Sequence, residues 1–225
     1  FLSDALERLP GVSVKNYGGV GGLKTVNVRN MGSAHTGVYY DGINVSDAQN
    51  GQVDLSRFLT DGLDEVTVWL SNADDIFLPA RSLAHSSLLS LVPKRPAFRY
   101  ERKSSMSARV SYGSFNTVDA LLVYDRILAQ KEKRDYILRV SANYLYSEGN
   151  YPISVENGSA SYREKRDGSE VSAIDVGAEA FCPVGNGEVR AKFGFYDSQR
   201  GLPGPVILYK QDPSESIHDR NYSAS

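Results

Sequence analysis

The second half of the chain alternates. Between Asp135 and Ser147, Tyr136, Leu138, Val140, Ala142, Tyr144 and Tyr146 fall on one side. Asp135, Arg139, Ser141, Asn143 and Ser147 fall on the other, with Ile137 and Leu145 as exceptions. Val189, Ala191, Phe193 and Phe195 oppose Glu188, Arg190, Lys192 and Gly194 in the same way. Ile174, Val176, Ala178, Ala180 and Cys182 oppose Asp175, Gly177 and Glu179. Val118, Ala120, Leu122 and Tyr124 form a fourth apolar row, and Ala108, Val110 and Tyr112 a shorter fifth one. A period of two predicts strands with two unlike faces. Segments of about ten residues, apolar on one face and polar on the other with aromatics near their ends, are the signature of a transmembrane β-barrel. A half-wet antiparallel sheet of a soluble protein shares the alternation. It does not call for an ionic second face or for aromatics gathered at strand ends.

The connectors alternate in length. "QKEKR" (130–134) and "PVGNG" (183–187) are short, whereas 148–168 and 197–219 are long and polar. Up-and-down topology places the short ones on one side and the long ones on the other, as in barrels with short periplasmic turns and long outer loops. The turn around Gly113-Ser114-Phe115-Asn116 is then a short outer loop. Five strands cannot close a barrel, and open edges in lipid would leave backbone groups unsatisfied. The pattern is therefore that of part of a larger barrel.

Residues 1–97 follow a different grammar, that of a compact α+β domain. Ser3 is positioned to cap a short helix over Asp4 to Leu9, and Pro10-Gly11 stops it. Strands are expected at Ser13–Lys15, Thr25–Arg29, Gly37–Tyr40, Asp64–Leu70 and Ser86–Val92, with a helical turn at Asp54–Leu59. Asp41-Gly42 signals a tight turn between Val38-Tyr39-Tyr40 and Ile43-Asn44-Val45. The stretch "YGGVGGLKT" (17–25) superficially resembles a phosphate-binding loop. Leu23 breaks its final Gly-Lys pair, and a strand follows where a helix N-terminus would have to be.

Composition narrows the function. The 225 residues carry 25 basic and 27 acidic side chains, so there is no nucleic-acid footprint. Cys182 is the lone cysteine, so no internal disulfide forms. No apolar run reaches the ~20 residues of a membrane helix. His35, His85 and His218 share no ligand spacing, Asp74-Asp75 reads as a polar turn, and no nucleophile elbow surrounds Ser86-Ser87. No catalytic constellation, cofactor or metal is assigned. "REKRD" (163–167) reads as a solvated charge run.

Several stretches carry a family resemblance. "LERLPGVSV" (6–14), "VNVRNMG" (26–32), "GVYYDGINV" (37–45) and "VDLSRF" (53–58) resemble plug-domain motifs of TonB-dependent outer-membrane receptors. "YGSFNT" (112–117) and "YSEGNYP" (146–152) resemble their early barrel strand ends. The likeness spans nearly the whole chain. Asn30 stands where the family usually has Gly, Thr67, Leu70 and Ser71 replace a Glu, an Arg and a Gly, and Ser86-Ser87 replace Gly-Gly. This resembles a divergent, Bacteroidetes-like branch.

The resemblance implies a plug domain over 1–97 and the first five or six strands of a ~22-stranded plugged barrel over 98–225. It implies active uptake of a scarce small-molecule ligand, a siderophore, cobalamin or similar, across the bacterial outer membrane, rather than enzyme chemistry. TonB and its inner-membrane motor would engage a segment upstream of Phe1, outer-membrane lipid would surround the barrel, and a surface lipoprotein is a further partner the family allows. Lys15 to Leu23 and Ser46 to Gln52 become apical plug loops, which makes Asn16, Tyr17, Asp47, Gln49 and Asn50 the expected ligand contacts. Arg29, Asp41 and Gly42 fall on structural motif positions. The rival readings are a soluble β-rich binding protein or enzyme, and a passive or adhesive barrel.

Overall fold

The computed structural model describes residues 2–17, 20, 22–45, 52–58, 60–70, 78, 80–99, 102–131, 134–157, 160–203 and 215–225. The chain divides into two compact units, the boundary falling between Arg95 and Pro96.

The first unit opens with helix α1 (Leu2–Leu6). Leu2 and Leu6, one helical turn apart, are both fully buried. That pair draws the helix upstream of the expected Asp4–Leu9. Ser3 therefore lies inside it rather than capping it, and its hydroxyl donates to Asp4 at 3.0 Å. Strands β1 (Val12–Tyr17) and β2 (Leu23–Val28) pair antiparallel as the two arms of a hairpin. A hairpin there rules out the phosphate-loop geometry.

Strands β3 (Thr36–Tyr40), β4 (Ile43–Val45), β5 (Leu63–Trp69) and β6 (Ser87–Pro93) make one sheet in the order β4-β3-β6-β5, with β3 and β6 parallel. Asp41 and Gly42 turn β3 into β4 with φ of 52° and 78°, the left-handed pair of a type I′ hairpin. Leu2, Leu6, Val26, Val28, Val38, Leu55, Leu89 and Leu91 share one core between the helix, the hairpin and the sheet. The family's usual Gly-Gly is replaced to evident effect. Ser86 N–H and hydroxyl both donate to the His35 carbonyl, and the buried Ser87 and Thr36 hydroxyls bond at 2.9 Å.

The second unit is a six-stranded antiparallel meander. It contains β7 (Ser104–Gly113), β8 (Thr117–Lys131), β9 (Arg134–Ser147), β12 (Val171–Val184), β13 (Gly187–Leu202) and β14 (Glu215–Ala224) in that spatial order. Between β9 and β12 the chain forms a separate hairpin, β10 (Pro152–Asn157) with β11 (Ala160–Lys165). The expected long polar loop at 148–168 is thus largely a paired ribbon. The expected loop from 197 also begins later, because β13 runs on to Leu202. Among the described residues, no helix is long and apolar enough to cross a membrane.

The two faces of the meander are opposite in character. One carries Met106, Val110, Tyr112, Leu122, Val140, Tyr144, Ile174, Phe193 and Tyr222, all exposed; even on strands paired at both sides, Leu122 is 44% and Phe193 53% accessible. The other carries ions that meet in register. Asp125 faces Arg139, Arg139 faces Glu179, and Glu179 faces Lys192. Arg139 Nε reaches Asp125 Oδ1 at 2.7 Å and Lys192 Nζ reaches Glu179 Oε1 at 3.1 Å. Arg109 meets Asp119 at 2.8 Å. Water-facing hydrocarbon opposite a neutralised ionic face inverts the rule for soluble sheets and fits a barrel wall with lipid outside and a polar lumen. Tyr136 and Tyr146 bracket the apolar run of β9, about 33 Å of strand at ~3.3 Å per residue and about 25 Å of height once tilted.

Arg139 and Asp125 retain only 13% and 9% side-chain exposure. Replacing Arg139 by Met strands the carboxylate and is expected to lower stability by about 3 kcal/mol. A denaturant midpoint measured on the intact, folded barrel checks this. Arg139→Lys should recover most of the loss, and an unchanged midpoint for Arg139→Met would mean that water already solvates Asp125.

Candidate functional site

The expected ligand contacts fall in two stretches of the sequence, around the β1–β2 connection and at 46–52. The first is narrower than the sequence suggests. Lys15, Asn16 and Tyr17 continue β1, paired with Thr25, Lys24 and Leu23, so the loop proper is confined to 18–22. Asn16 and Tyr17 are consecutive strand residues and project to opposite sides of the ribbon. Tyr17 is exposed, presenting a ring for stacking and a hydroxyl for hydrogen bonding. Asp47, Gln49 and Asn50 lie outside the described residues.

The roots of the two loops are tied together by one carboxylate. Asp54 Oδ1 accepts the Lys24 amide at 3.1 Å and the Ser56 amide at 3.0 Å. The second bond caps the 3-10 turn Leu55–Arg57. The first joins the chain emerging from the 46–52 loop to strand β2. Lys24 Nζ also donates to the Ser3 hydroxyl at 3.3 Å, which anchors the same strand to α1. Asp54 therefore fastens the 3-10 turn to strand β2 across 30 positions of sequence. Asp54 was visible in the sequence as a helical-turn start, but its bond to Lys24 was not, because that pairing depends on the tertiary fold.

Arg29 sits behind the hairpin, not at its tip. It adopts φ 51°, its amide donates to the Gly11 carbonyl at 2.7 Å, and its side chain is exposed. Asn30 follows at φ 58°. Asn tolerates this left-handed region better than other non-glycine residues, which explains how it can stand where the family usually has Gly. The buried Asn27 side chain bonds Asn30 Oδ1 at 3.1 Å and the Gly32 amide at 2.8 Å, holding the bend. Asp41 and Gly42 occupy the β3–β4 turn, where the Asp41 amide donates to Leu91 O at 2.9 Å. These three residues shape the backbone away from the hairpin tip.

His85 locks the connection into β6. Its ring lies so close to Gly37 that a Cβ there would clash with it, and it packs edge-on to the buried Tyr39 ring. His85 Nε2 and Tyr39 Oη are buried without a hydrogen-bond partner in the structure. Burial first, and then the Arg81 guanidinium, lower the imidazole pKa below its ordinary 6.5. Among the described residues no cluster of three metal-ligating side chains occurs.

Residues 2–76 match the family model of the TonB-dependent receptor plug domain. Among solved structures the chain is similar to one described as "Copper transporter OprC", with a TM-score of 0.62 and 17% sequence identity. The match covers 89% of this chain and 29% of that one. The chain thus spans under a third of that protein's length, and at this identity the likeness concerns the fold.

Two outcomes follow for the first unit. Asp54→Ala removes a cap and the tie between the loops, and should cost about 1–2 kcal/mol in the plug. Local hydrogen exchange at Lys24 and Ser56 in the intact protein reads it. For His85, the unfolded imidazole takes up a proton more readily than the folded one. Its contribution is complete above pH 6.5 and is lost as the pH falls through the lowered folded value. Exchange protection of the β3 and β6 amides, corrected for intrinsic rates, should fall below pH 6.5, and His85→Gln should flatten that part of the profile.

Proposed function

We propose, since residues 2–76 match the TonB-dependent receptor plug domain, that this chain belongs to a protein that takes up a scarce ligand across the bacterial outer membrane. The observation that carries the reading is the joining of that plug to a sheet with exposed hydrocarbon on one face and paired ions on the other. A soluble β-rich protein would bury the face that carries Val110 and Met106. A passive or adhesive barrel has no use for a plug.

In this reading the ligand settles on the loops above Asp54, contacting Asn16 and Tyr17 from β1 and Asp47, Gln49 and Asn50 from the second loop. A segment upstream of this chain engages TonB, and force from the inner-membrane motor rearranges the plug. The protein performs no covalent chemistry. A compact plug with small polar loops suits a siderophore or cobalamin better than a glycan. Copper ions join the panel to be tested because of what the structurally similar protein's description states.

The test is uptake by cells carrying the intact gene or its deletion, with ferric siderophores, cobalamin and copper ions supplied at growth-limiting levels. TonB-dependent rescue by one of them is expected, and equal growth of both strains on all of them would overturn the reading. For the ligand that rescues, the double variant Asn16→Ala, Tyr17→Ala should weaken binding about tenfold, equivalent to ~1.4 kcal/mol. Calorimetry on the detergent-solubilised receptor measures it.

A further inference from the structure

The connection from β5 enters β6 through the 3-10 turn Ala80–Ala84, then His85 and Ser86. Two kinds of contact hold this entry. The first is backbone bonding: the His85 amide donates to the Ser82 carbonyl at 3.2 Å, and the Ser86 amide to the His35 carbonyl at 3.1 Å. The second is the imidazole itself. Cγ, Cδ2 and Nε2 of His85 crowd the space that a Cβ of Gly37 would take. Gly37 is an ordinary residue of β3 without positive φ, so its missing side chain serves the ring and not the backbone.

This niche suits a neutral ring. His85 Nε2 is buried with no hydrogen-bond partner, and so is the Oη of the fully buried Tyr39. The Tyr39 ring stands edge-on to the imidazole, with centroids 6.5 Å apart. A proton on the imidazole makes both of its nitrogens donors. Nε2 then becomes a charged donor with no acceptor within hydrogen-bonding distance, which costs more than a neutral orphan. Among the described residues, the charged or titratable groups beside the ring are Tyr39 from β3 and Arg81 from the 3-10 turn, and Arg81 repels the added charge. The hydroxyls at the start of β6 are engaged elsewhere, Ser86 on the His35 carbonyl and Ser87 with Thr36.

We propose that His85 is an acid-sensitive latch: on taking up a proton its ring leaves the niche beside Gly37 and releases the entry of β6 from β3. Outside the niche the charged ring gains water as its partner, and the bonds from Ser86 to His35 open with it. A released imidazole titrates at the ordinary 6.5, whereas burial and Arg81 hold the latched one lower. The latch is therefore closed above pH 6.5 and opens progressively below it. One proton drives the step, so the opened fraction rises by at most about tenfold per pH unit. The latch belongs to the fold of the first unit and does not depend on which ligand is taken up.

Amide exchange of the intact receptor in detergent, followed by mass spectrometry on peptides containing the His85 and Ser86 amides, provides the test. It is read at about pH 7.5 and about pH 5, on either side of the ordinary imidazole value, and corrected for intrinsic rates. In wild type the opening of this segment should increase about tenfold or more in acid, while the β1–β2 amides stay unchanged. Gly37→Ala places a methyl group where the ring lies. It should show at the higher pH the exchange that wild type shows in acid. His85→Phe keeps a ring but takes up no proton, and should exchange equally at both pH values. Heat-modified gel migration confirms folding; should His85→Phe not fold, His85→Gln takes its place with the same expectation. A wild-type segment indifferent to pH would overturn the proposal. So would a wild-type acid response retained in His85→Phe, His85→Gln or Gly37→Ala. Loosening of the β1–β2 amides by the same factor would also overturn it, since that is general weakening of the unit in acid and not a latch.

Discussion

Arg139 between Asp125 and Glu179 is the contact on which the second unit depends. Side chains in a strand alternate with a period of two, so a slip of one residue in β9 would carry Arg139 to the apolar face and Tyr136, Leu138 and Val140 to the ionic one. The ladder Asp125–Arg139–Glu179–Lys192 crosses four strands with signs that match in the observed register and are lost on a slip of one or two residues. Backbone hydrogen bonding alone does not choose a register, because every peptide unit offers the same donor and acceptor. The ions do choose it. With the register set, the rest follows: which residues form the apolar face, where the aromatics stand, and where the apolar band ends on each strand.

In the plug the equivalent task falls to polar side chains that bond to backbone. Asp54 accepts from two amides and Asn27 bonds one amide and one side chain, each reaching across the chain. Such bonds allow a small domain to carry exposed loops without long regular elements beneath them. They also make the loops depend on a few atoms. A change at Asp54 frees the Lys24 and Ser56 amides together. The locked His85 behaves in the same way, since its ring occupies the space that a side chain at position 37 would need.

Much of this was legible in the sequence because alternation and turn chemistry are local. Asp41-Gly42 foretold a tight hairpin, and the paired faces of 135–147, 174–182 and 187–196 foretold a barrel wall. Four features were not legible, each for a physical reason. The helix begins at Leu2 because burial of Leu2 and Leu6 outweighs the capping preference of Ser3. Strand β13 continues to Leu202 because a strand ends where its hydrogen-bonding partner ends, whereas the apolar run that marks it in the sequence ends at Phe195. The β10–β11 ribbon hides in a polar stretch, since it stands outside the sheet and needs no apolar face against a core. The tie from Asp54 to Lys24 spans 30 positions, and no local pattern announces it.

The end of β13 shows why the membrane changes the meaning of a charged residue. In a soluble sheet, Asp197 on the face that carries Phe195 would be a buried carboxylate in need of an excuse. Here that face looks outward, so the position of Asp197 along the strand decides its cost. A pair lower, beside Phe193 and Phe195, it would lie in hydrocarbon and be strongly unfavourable. One step above the Phe195–Tyr222 rim, with Arg220 and His218 at hydrogen-bonding distance, it lies where water and headgroups begin. The charge therefore marks the boundary of the hydrocarbon on this strand, as Tyr146 does on β9. The offset between the two marks, read through the pairing of Tyr146 with Ser172 and of Ile174 with Asp197, is the stagger of the wall itself.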